Sequence, residues 1–289
     1  MNVHIRRANS ADTEACGRVI YDAFKGIAIR HGFPPDFYSV QAASRVASFF
    51  IDHPSIFSVV AVNEGQVIGT TFLDERDAIR GVGGVAVDPS LQGRGVGRRL
   101  MEAVLRQSRD AVGIRLVQDA FNTSSISLYA SLGFEVKEPL VSMRGKPKGE
   151  PPDRIEVRPM TRTDVEGCAL LCRRVHGFDR SHELQDALDA PQVCSPLVAV
   201  RQGRLVAYTY TVFRSLAHGV AETETDMRAL ILGVGAMSAE PFAFFLPTRQ
   251  ASLFRWCLSE GIRVVKPATL LAIGAYQEPR GCYIPSGLY

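Results

Sequence analysis

Three glycines in a seven-residue loop give this sequence its clearest chemical signal. The loop reads Gln92-Gly93-Arg94-Gly95-Val96-Gly97-Arg98, after an apolar run that ends at Pro89 and before a segment with helical apolar periodicity. Glycine lacks the Cβ that would keep an anion away from the backbone. The first turn of the following helix adds unpaired N–H donors and the positive end of its dipole. The order strand, loop, helix therefore predicts a backbone site for the phosphates of a nucleotide-like ligand.

The spacing of this loop excludes two other phosphate-binding loops. A dinucleotide loop, G-x-G-x-x-G, would need a glycine at the position of Arg98. A looser match over 81–86 runs into residues 87–89, which do not open the helix that such a loop requires. A triphosphate loop needs G-K-S/T, but Gly145-Lys146 is followed by Pro147.

A second block of residues follows the loop at a fixed distance. A strand rich in branched side chains, 114–118, leads into Asn122, Tyr129 and the pair Gly133-Phe134. Taken one at a time, Asn122 also fits a helix N-cap and Tyr129 a half-buried core aromatic. Together, in this order, loop and block resemble the GNAT superfamily of acyl-CoA-dependent N-acyltransferases, whose Q/R-x-x-G-x-G/A loop and N-x6-Y-x3-G-F element they match.

The resemblance implies that acetyl-CoA is the acyl donor and that main-chain groups hold most of it. Strands 82–87 and 114–118 would run parallel and then splay, with the pantetheine arm in the wedge. Tyr129 would protonate the coenzyme A thiolate as general acid, and Asn122 would orient the arm. A main-chain donor near Val85 would polarise the acetyl carbonyl. The donor-binding residues implied are Val85, Ala86, Val87, Gln92, Gly93, Arg94, Gly95, Val96, Gly97, Arg98 and Asn122.

The general base of such a reaction stays open at this stage. An alkylammonium with a pKa of ~10.4 must lose a proton at neutral pH. Many members of the family use a glutamate on or near the cofactor strand, yet 82–87 contains no carboxylate. A water relay would need no side chain. The carboxylates that we consider are Asp74, Glu75, Asp77, Glu222 and the terminal carboxylate of Tyr289.

The acceptor is also left open by the sequence. In the resembled family the loop between the first two helices covers the acceptor, so pocket candidates are His31, Phe33, Phe37 and Tyr38. They suit a small amine with an apolar body, and they equally suit core packing. The function that follows is transfer of acetyl to a primary amine of a small molecule, with a protein amine second. The alternative is a non-catalytic acyl-CoA-binding sensor or interaction protein.

The pattern along the chain predicts two tandem α/β domains of the GNAT type, each a mixed, largely antiparallel sheet flanked by helices. Residues 155–160 repeat the pattern of 3–8, and 197–207 repeat that of 59–69. Acidic residues in 223–228 replace the glycine loop and would repel a diphosphate. We therefore expect a catalytic domain at 1–145, a linker at 146–154 and a degenerate domain without the donor loop at 155–289.

Composition restricts the partners. The chain has 289 residues, and 46% of them are hydrophobic, which indicates large cores. Its net charge of only +3 does not indicate a partner nucleic acid. Residues 229–247 are too interrupted to span a membrane. Six scattered cysteines and the lack of a leader predict a cytoplasmic protein. Cys168, Cys172 and His176 share a helix face without a fourth ligand, so we expect no metal. A homodimer is the default assembly.

Overall fold

The computed structural model describes residues 2–191, 193–211 and 216–288. These residues form two compact units. The first contains the chain up to residue 116, together with 121–134 and Leu288, and the second contains 117–120 and 135–287. The stretch 146–154, expected to be a linker, lies in the second unit, where the amides of Lys148 and Gly149 donate to Glu260 Oε2 at 3.0 and 2.9 Å. The domain boundaries stay a prediction.

The first unit is built on a mixed sheet. Its strands are β1 (Val3–Arg7), β2 (Ile56–Asn63), β3 (Gln66–Asp74), β4 (Ile79–Val82), β5 (Ala86–Val87) and β6 (Gly113–Asp119), whose last residues group with the second unit. The order is β1-β2-β3-β4-β6, and β5 pairs with β3 beside that path. All pairs are antiparallel except β4 with β6. A parallel neighbour requires a crossover, which α3 supplies.

Four helices flank this sheet: α1 (Thr13–Arg30), α2 (Val40–Asp52), α3 (Val96–Gln107) and α4 (Thr123–Ser131). The sequence predicts an end for the first helix near Phe24, but α1 continues to Arg30 because residues 25–30 contain no helix breaker other than Gly26. Ser39 caps α2 through Ala42 N. Apolar side chains of β1–β3, Val96 and Leu100 form a core under α3.

The second unit contains two groups of strands. In one, β7 (Glu135–Gly145) lies between β12 (Phe242–Pro247) and β13 (Arg263–Gly274), antiparallel to both. The other is a five-stranded sheet, β14-β11-β10-β9-β8. Its strands are β8 (Ile155–Pro159), β9 (Leu197–Arg201), β10 (Arg204–Thr209), β11 (Gly219–Ala221) and β14 (Cys282–Ile284). The helices are α5 (Val165–His176), α6 (Ser181–Asp189), α7 (Glu224–Met237) and α8 (Ala251–Ser259).

The internal duplication predicted from sequence is visible in local structure. Arg6 of β1 binds both oxygens of Asp12 at 2.7 Å, and Arg158 of β8 binds both oxygens of Asp164 at 2.7 and 2.9 Å. Both aspartates also close a capping box at a 3-10 turn. The hairpin turns match as well, since Glu64-Gly65 and Gln202-Gly203 all have φ between 51° and 79°. The two halves therefore begin with the same local structures.

Candidate functional site

The site forms where two parallel strands separate. β4 and β6 pair from Ile79↔Gly113 to Gly81↔Arg115, and the pairing ends there. A little further along the chain, Gly83 donates its N–H to Phe72 O on β3 at 2.8 Å. A parallel pair is present, but on the first strand it uses residues 79–81 and not the predicted 82–87. The predicted single strand 82–87 is wrong, because residues 83–85 interrupt it and only 86–87 resume as β5.

Two glycines cause this interruption. A Cβ on Gly83 would lie 3.2 Å from Phe72 Cβ and 3.3 Å from Leu288 Cδ2. A Cβ on Gly84 would lie 2.8 Å from Phe24 Cζ. The side chains of Phe24, Phe72 and Leu288 thus occupy the space that a side chain at Gly83 or Gly84 would need. The backbone at these two glycines no longer pairs with β6. The sequence analysis missed Phe24, Phe72 and Leu288, since no local signal links them to the glycines.

The main chain of β5 presents one edge to β3 and the other to the gap left by β6. Ala86 pairs with Thr70, and its carbonyl oxygen lies 3.1 Å from the position of a Cβ on Gly69. Successive residues of a strand direct their N–H and C=O groups to opposite sides. The main-chain N–H and C=O of Val87 therefore point towards the gap, and those of Val85, two residues earlier, are on the same side. Among the described residues, β5 pairs with β3 alone. Ala86, implied as a donor-binding residue, directs its carbonyl away from the gap.

The glycine loop follows β5 and is held open by its own backbone. Gly93 and Gly95 have φ of +75° and +81°, conformations that L side chains rarely adopt. A Cβ on either glycine would meet nothing within 4 Å, so space is present beside both. Gln92 Nε2 donates to Val87 O at 3.1 Å and ties the start of the loop to the end of β5. The loop is an open main-chain cradle.

The helix that ends the cradle supplies donors and positive charge. α3 begins at Val96 with Gly95 as its N-cap, and the Arg99 amide makes the bond to Gly95 O at 3.2 Å. The N–H groups of Val96, Gly97 and Arg98 precede Arg99, the first intrahelical donor, and are available to an anion. No acidic side chain stands in the first turn. Arg98 is anchored by a 2.6 Å bond from Nη2 to Ser131 Oγ, and Arg94 is exposed.

Asn122 and Tyr129 occupy the start and the middle of α4. Asn122 Oδ1 accepts from Ser125 N at 3.1 Å, so the carbonyl end of its amide caps the helix and the NH2 end keeps its two donors. Tyr129 is buried, with 6% of its surface exposed, and its ring packs edge-on against Phe134 at 6.0 Å. Burial raises the pKa of the Tyr129 phenol well above its ordinary value, against a smaller lowering by Ser125. The phenol therefore keeps its proton at neutral pH.

The carboxylates considered as general bases are largely held in ion pairs. Asp74 Oδ1 accepts from Arg76 Nε at 2.9 Å, with both side chains buried. Glu75 pairs with Arg80 at 3.0 Å. In the second unit Arg204 lowers the pKa of Glu222, and Arg174 lies 2.9 Å away. A carboxylate bound to a guanidinium is a weaker base than a solvated one.

Two other base candidates are Asp77 and the terminal carboxylate of Tyr289. Asp77 is half-buried just after β3, and Tyr289 lies outside the described residues.

Three of the four acceptor candidates belong to aromatic clusters at the end of α1. Phe33 stacks on Phe121 at 4.4 Å, and the His31 ring lies 5.3 Å from the same phenyl. Phe37 packs edge-on against Phe24 at 6.0 Å. Tyr38 stands apart, 82% exposed, with its hydroxyl accepting from Arg45. Sequence reasoning missed Phe121, although it directly precedes Asn122.

The second unit carries no equivalent of the cradle in its described part. Thr223 caps α7 by accepting from Asp226 N, and the first turn holds Glu224 and Asp226. Arg228 pairs with Glu224. Acidic side chains occupy the place where the first half has glycines and free amides, which disfavours a diphosphate there.

Cys168, Cys172 and His176 lie buried on α5, and burial raises the pKa of the Cys172 thiol to about 11. Within the described ranges no three His, Cys, Asp or Glu side chains are grouped to hold a metal.

None of the helices in the described part of the chain combines the length and the apolar character that a transmembrane span requires.

Comparison with known proteins gives one family match and several similar structures. Residues 25–134 match the model of the Acetyltransferase (GNAT) family. A candidate acetyltransferase from Pyrococcus horikoshii has a similar structure, with a TM-score of 0.75, 15% identity and coverage of 97% of this chain and 94% of that one. GCN5-related N-acetyltransferases from Sphaerobacter thermophilus (TM-score 0.62, 17% identity, 96% of each chain) and Anabaena variabilis (0.59, 11%, 94% and 72%) are also similar. At these identities the likeness shows the fold, over nearly the whole chain. No curated protein matches the sequence.

Proposed function

We propose that this chain, whose residues 25–134 match the model of the Acetyltransferase (GNAT) family, transfers an acetyl group from acetyl-CoA to a primary amine of a small molecule. The observation that carries the proposal is the pairing of two open main-chain surfaces. One is the glycine cradle at 93–98, and the other is the edge of Val87 that faces the gap beside β6. A ligand with a diphosphate followed by an amide-containing arm needs a cradle of N–H groups for the diphosphate and, next to it, a free strand edge for the arm.

The acyl donor would bind along these two surfaces. The N–H groups of Val96, Gly97 and Arg98 would bind the diphosphate, with Arg94 and Arg98 adding charge. The main chain of Val87 and Val85 would hold the amides of the pantetheine arm, as an added strand does at a free sheet edge. The NH2 end of Asn122 offers a donor to the same arm. The residues present therefore fit acetyl-CoA.

Direct attack then requires a neutral amine and a proton for the leaving thiolate. The amine lone pair forms the C–N bond, and the N–H of Val85 would stabilise the oxyanion. On collapse the C–S bond breaks and sulfur leaves with the electron pair. Tyr129, which holds its proton, would give it to that sulfur and recover one from the nitrogen. The balance is ammonium plus thioester to amide, free thiol and one proton.

The remaining expectations are part of this proposal. We take 1–145 as the catalytic domain, 146–154 as the linker and 155–289 as a degenerate domain without donor binding, in accord with the acidic start of α7. Six free cysteines, five of them buried, suit a reducing cytoplasm.

The experiment is calorimetric titration of the full chain with acetyl-CoA, followed by measurement of free thiol release over a panel of amines. We expect a single donor site and amine-dependent thiol release. The panel contains pairs of amines of similar shape but different basicity, such as 2-phenylethylamine and benzyloxyamine. It also contains lysine peptides, which represent a protein amine. Binding without release on any amine would favour the sensor or interaction protein. Lack of binding would contradict both.

A further inference from the structure

His31, which follows the last turn of α1, has one ring nitrogen held by a hydrogen bond to the helix. We infer that His31 is the general base that takes the proton from the acceptor amine, an inference that rests on the proposed function. His31 is the C-cap of α1, and its side chain is exposed to an incoming ligand. The carboxylates Asp74 and Glu75 are bound to arginines, which makes them weaker bases for this proton.

The hydrogen bond of His31 selects its tautomer. Nδ1 lies 3.0 Å from the carbonyl oxygen of Ile27. A carbonyl can only accept, so Nδ1 must carry the hydrogen and Nε2 must hold the lone pair. Among the described residues, none donates a hydrogen bond to Nε2. An imidazole in this state has its basic nitrogen directed away from the helix and ready for a proton.

The ring is also fixed in position by aromatic neighbours. Phe121 lies 5.3 Å from the His31 ring and stacks on Phe33 at 4.4 Å. Phe121 follows the end of β6 and precedes Asn122, the residue that would orient the pantetheine arm. The imidazole is therefore attached to the wall of the gap on the β6 side.

The same helix touches the opposite wall. Two turns before His31, the ring of Phe24 lies over Gly84, where the chain leaves β4 for β5. Gly26 faces Pro89, just after β5. The second half of α1 and the residues after it thus contact Gly84, between β4 and β5, and Phe121, just after β6. In the proposal the amine enters beside this part of the chain and gives its proton to His31 Nε2 before it attacks the thioester.

The proposed step balances as follows. The N–H bond of the ammonium breaks, its proton forms a bond with His31 Nε2, and the electron pair stays on the amine nitrogen for attack. The resulting imidazolium keeps Nδ1–H on Ile27 O and later returns the extra proton to water. That proton is the one released by the overall reaction.

The test compares His31→Asn with His53→Asn in the full chain. The side-chain amide that His31→Asn introduces can still donate to Ile27 O, but it is not a base. His53 is a matched control in the same unit, since its Nδ1 accepts from Ser55 N and so has the opposite tautomer. We expect kcat/KM with 2-phenylethylamine to fall on the order of 10²-fold for His31→Asn and to stay within about twofold for His53→Asn. Acetyl-CoA affinity should be unchanged in both.

Two further readouts separate a base from a structural residue. Benzyloxyamine has a similar shape but is already neutral at pH 7.5, so His31→Asn should lose little activity with it. Added imidazole should restore part of the activity of His31→Ala. An equal loss with both amines, or activity of His31→Asn near that of the wild type, would overturn the inference. A wild-type protein that binds acetyl-CoA but releases thiol with no amine contradicts the proposed function and removes the inference with it.

Discussion

The side-chain nitrogen Nε2 of Gln92 lies 3.1 Å from the carbonyl oxygen of Val87. The first residue of the glycine loop is thus hydrogen-bonded to the last residue of β5. This bond sets the distance between the two main-chain surfaces that the donor would bridge. The side chain of Gln92 therefore holds the start of the loop against β5.

Replacing Gln92 by Ala should weaken donor binding without unfolding the protein. A hydrogen bond of this kind contributes about 1 kcal/mol, so the dissociation constant of acetyl-CoA should rise about fivefold by calorimetry. Gln66→Ala, at an exposed position in the β2–β3 turn, is the control. An affinity equal to that of the wild type would show that the bond does not organise the loop.

Gly95→Ala tests the left-handed backbone of the cradle. A side chain at a φ of +81° is strained by about 1–2 kcal/mol, which should lower the unfolding free energy and distort the N-terminus of α3. Gly65→Ala is closely matched, because Gly65 has a φ of +79° and equally open surroundings. Both variants should lose similar stability in urea, but only Gly95→Ala should lose acetyl-CoA affinity. Equal affinities would argue against the cradle.

Tyr129→Phe tests the proposed proton donor. The variant keeps the ring packed against Phe134 and removes the hydroxyl that interacts with Ser125. If the phenol protonates the thiolate, kcat should fall at least about 10²-fold while acetyl-CoA still binds. Ser125→Ala, which removes the partner but leaves the phenol, should retain most activity. Full turnover by Tyr129→Phe would exclude this role.

The Arg158–Asp164 pair predicts a pH dependence of stability in the second half. The hydrogen bond from Arg158 lowers the pKa of Asp164 from 3.8 to about 2. The stabilisation is therefore complete above about pH 4 and is lost as the pH falls towards 2. Asp164→Asn should cost about 2 kcal/mol of unfolding free energy at pH 7 and much less near pH 2. Urea titrations at several pH values measure this, with the exposed Asp153→Asn as control. A constant difference across pH would contradict the prediction.

The sequence predicted the parts of the site that depend on local pattern. The order of loop and helix and the cap at Gly133 both follow from residue types at fixed spacing. The parallel pair, in contrast, lies at 79–81 and 113–115 and not at the predicted 82–87 and 114–118. The left-handed Gly133, with φ of +95°, ends α4 as expected.

What the sequence could not give depends on contacts between distant residues. The break at 83–85 arises from Phe24 and Phe72, which are far from Gly83-Gly84 along the chain. The ion pair of Asp74 and the stacking of Phe33 on Phe121 are likewise decided by packing. Periodicity carries no information about such pairs, so the sequence alone left the general base and the acceptor site open.

The position of β7 between β12 and β13 has a practical consequence for anyone who shortens this protein. A truncation after residue 145 would retain all of β7 yet strip hydrogen-bonding partners from both of its sides. Unpaired strand edges recruit other chains, so such a fragment is expected to aggregate even though it keeps the entire glycine loop. Assays of donor binding are better done on the intact polypeptide.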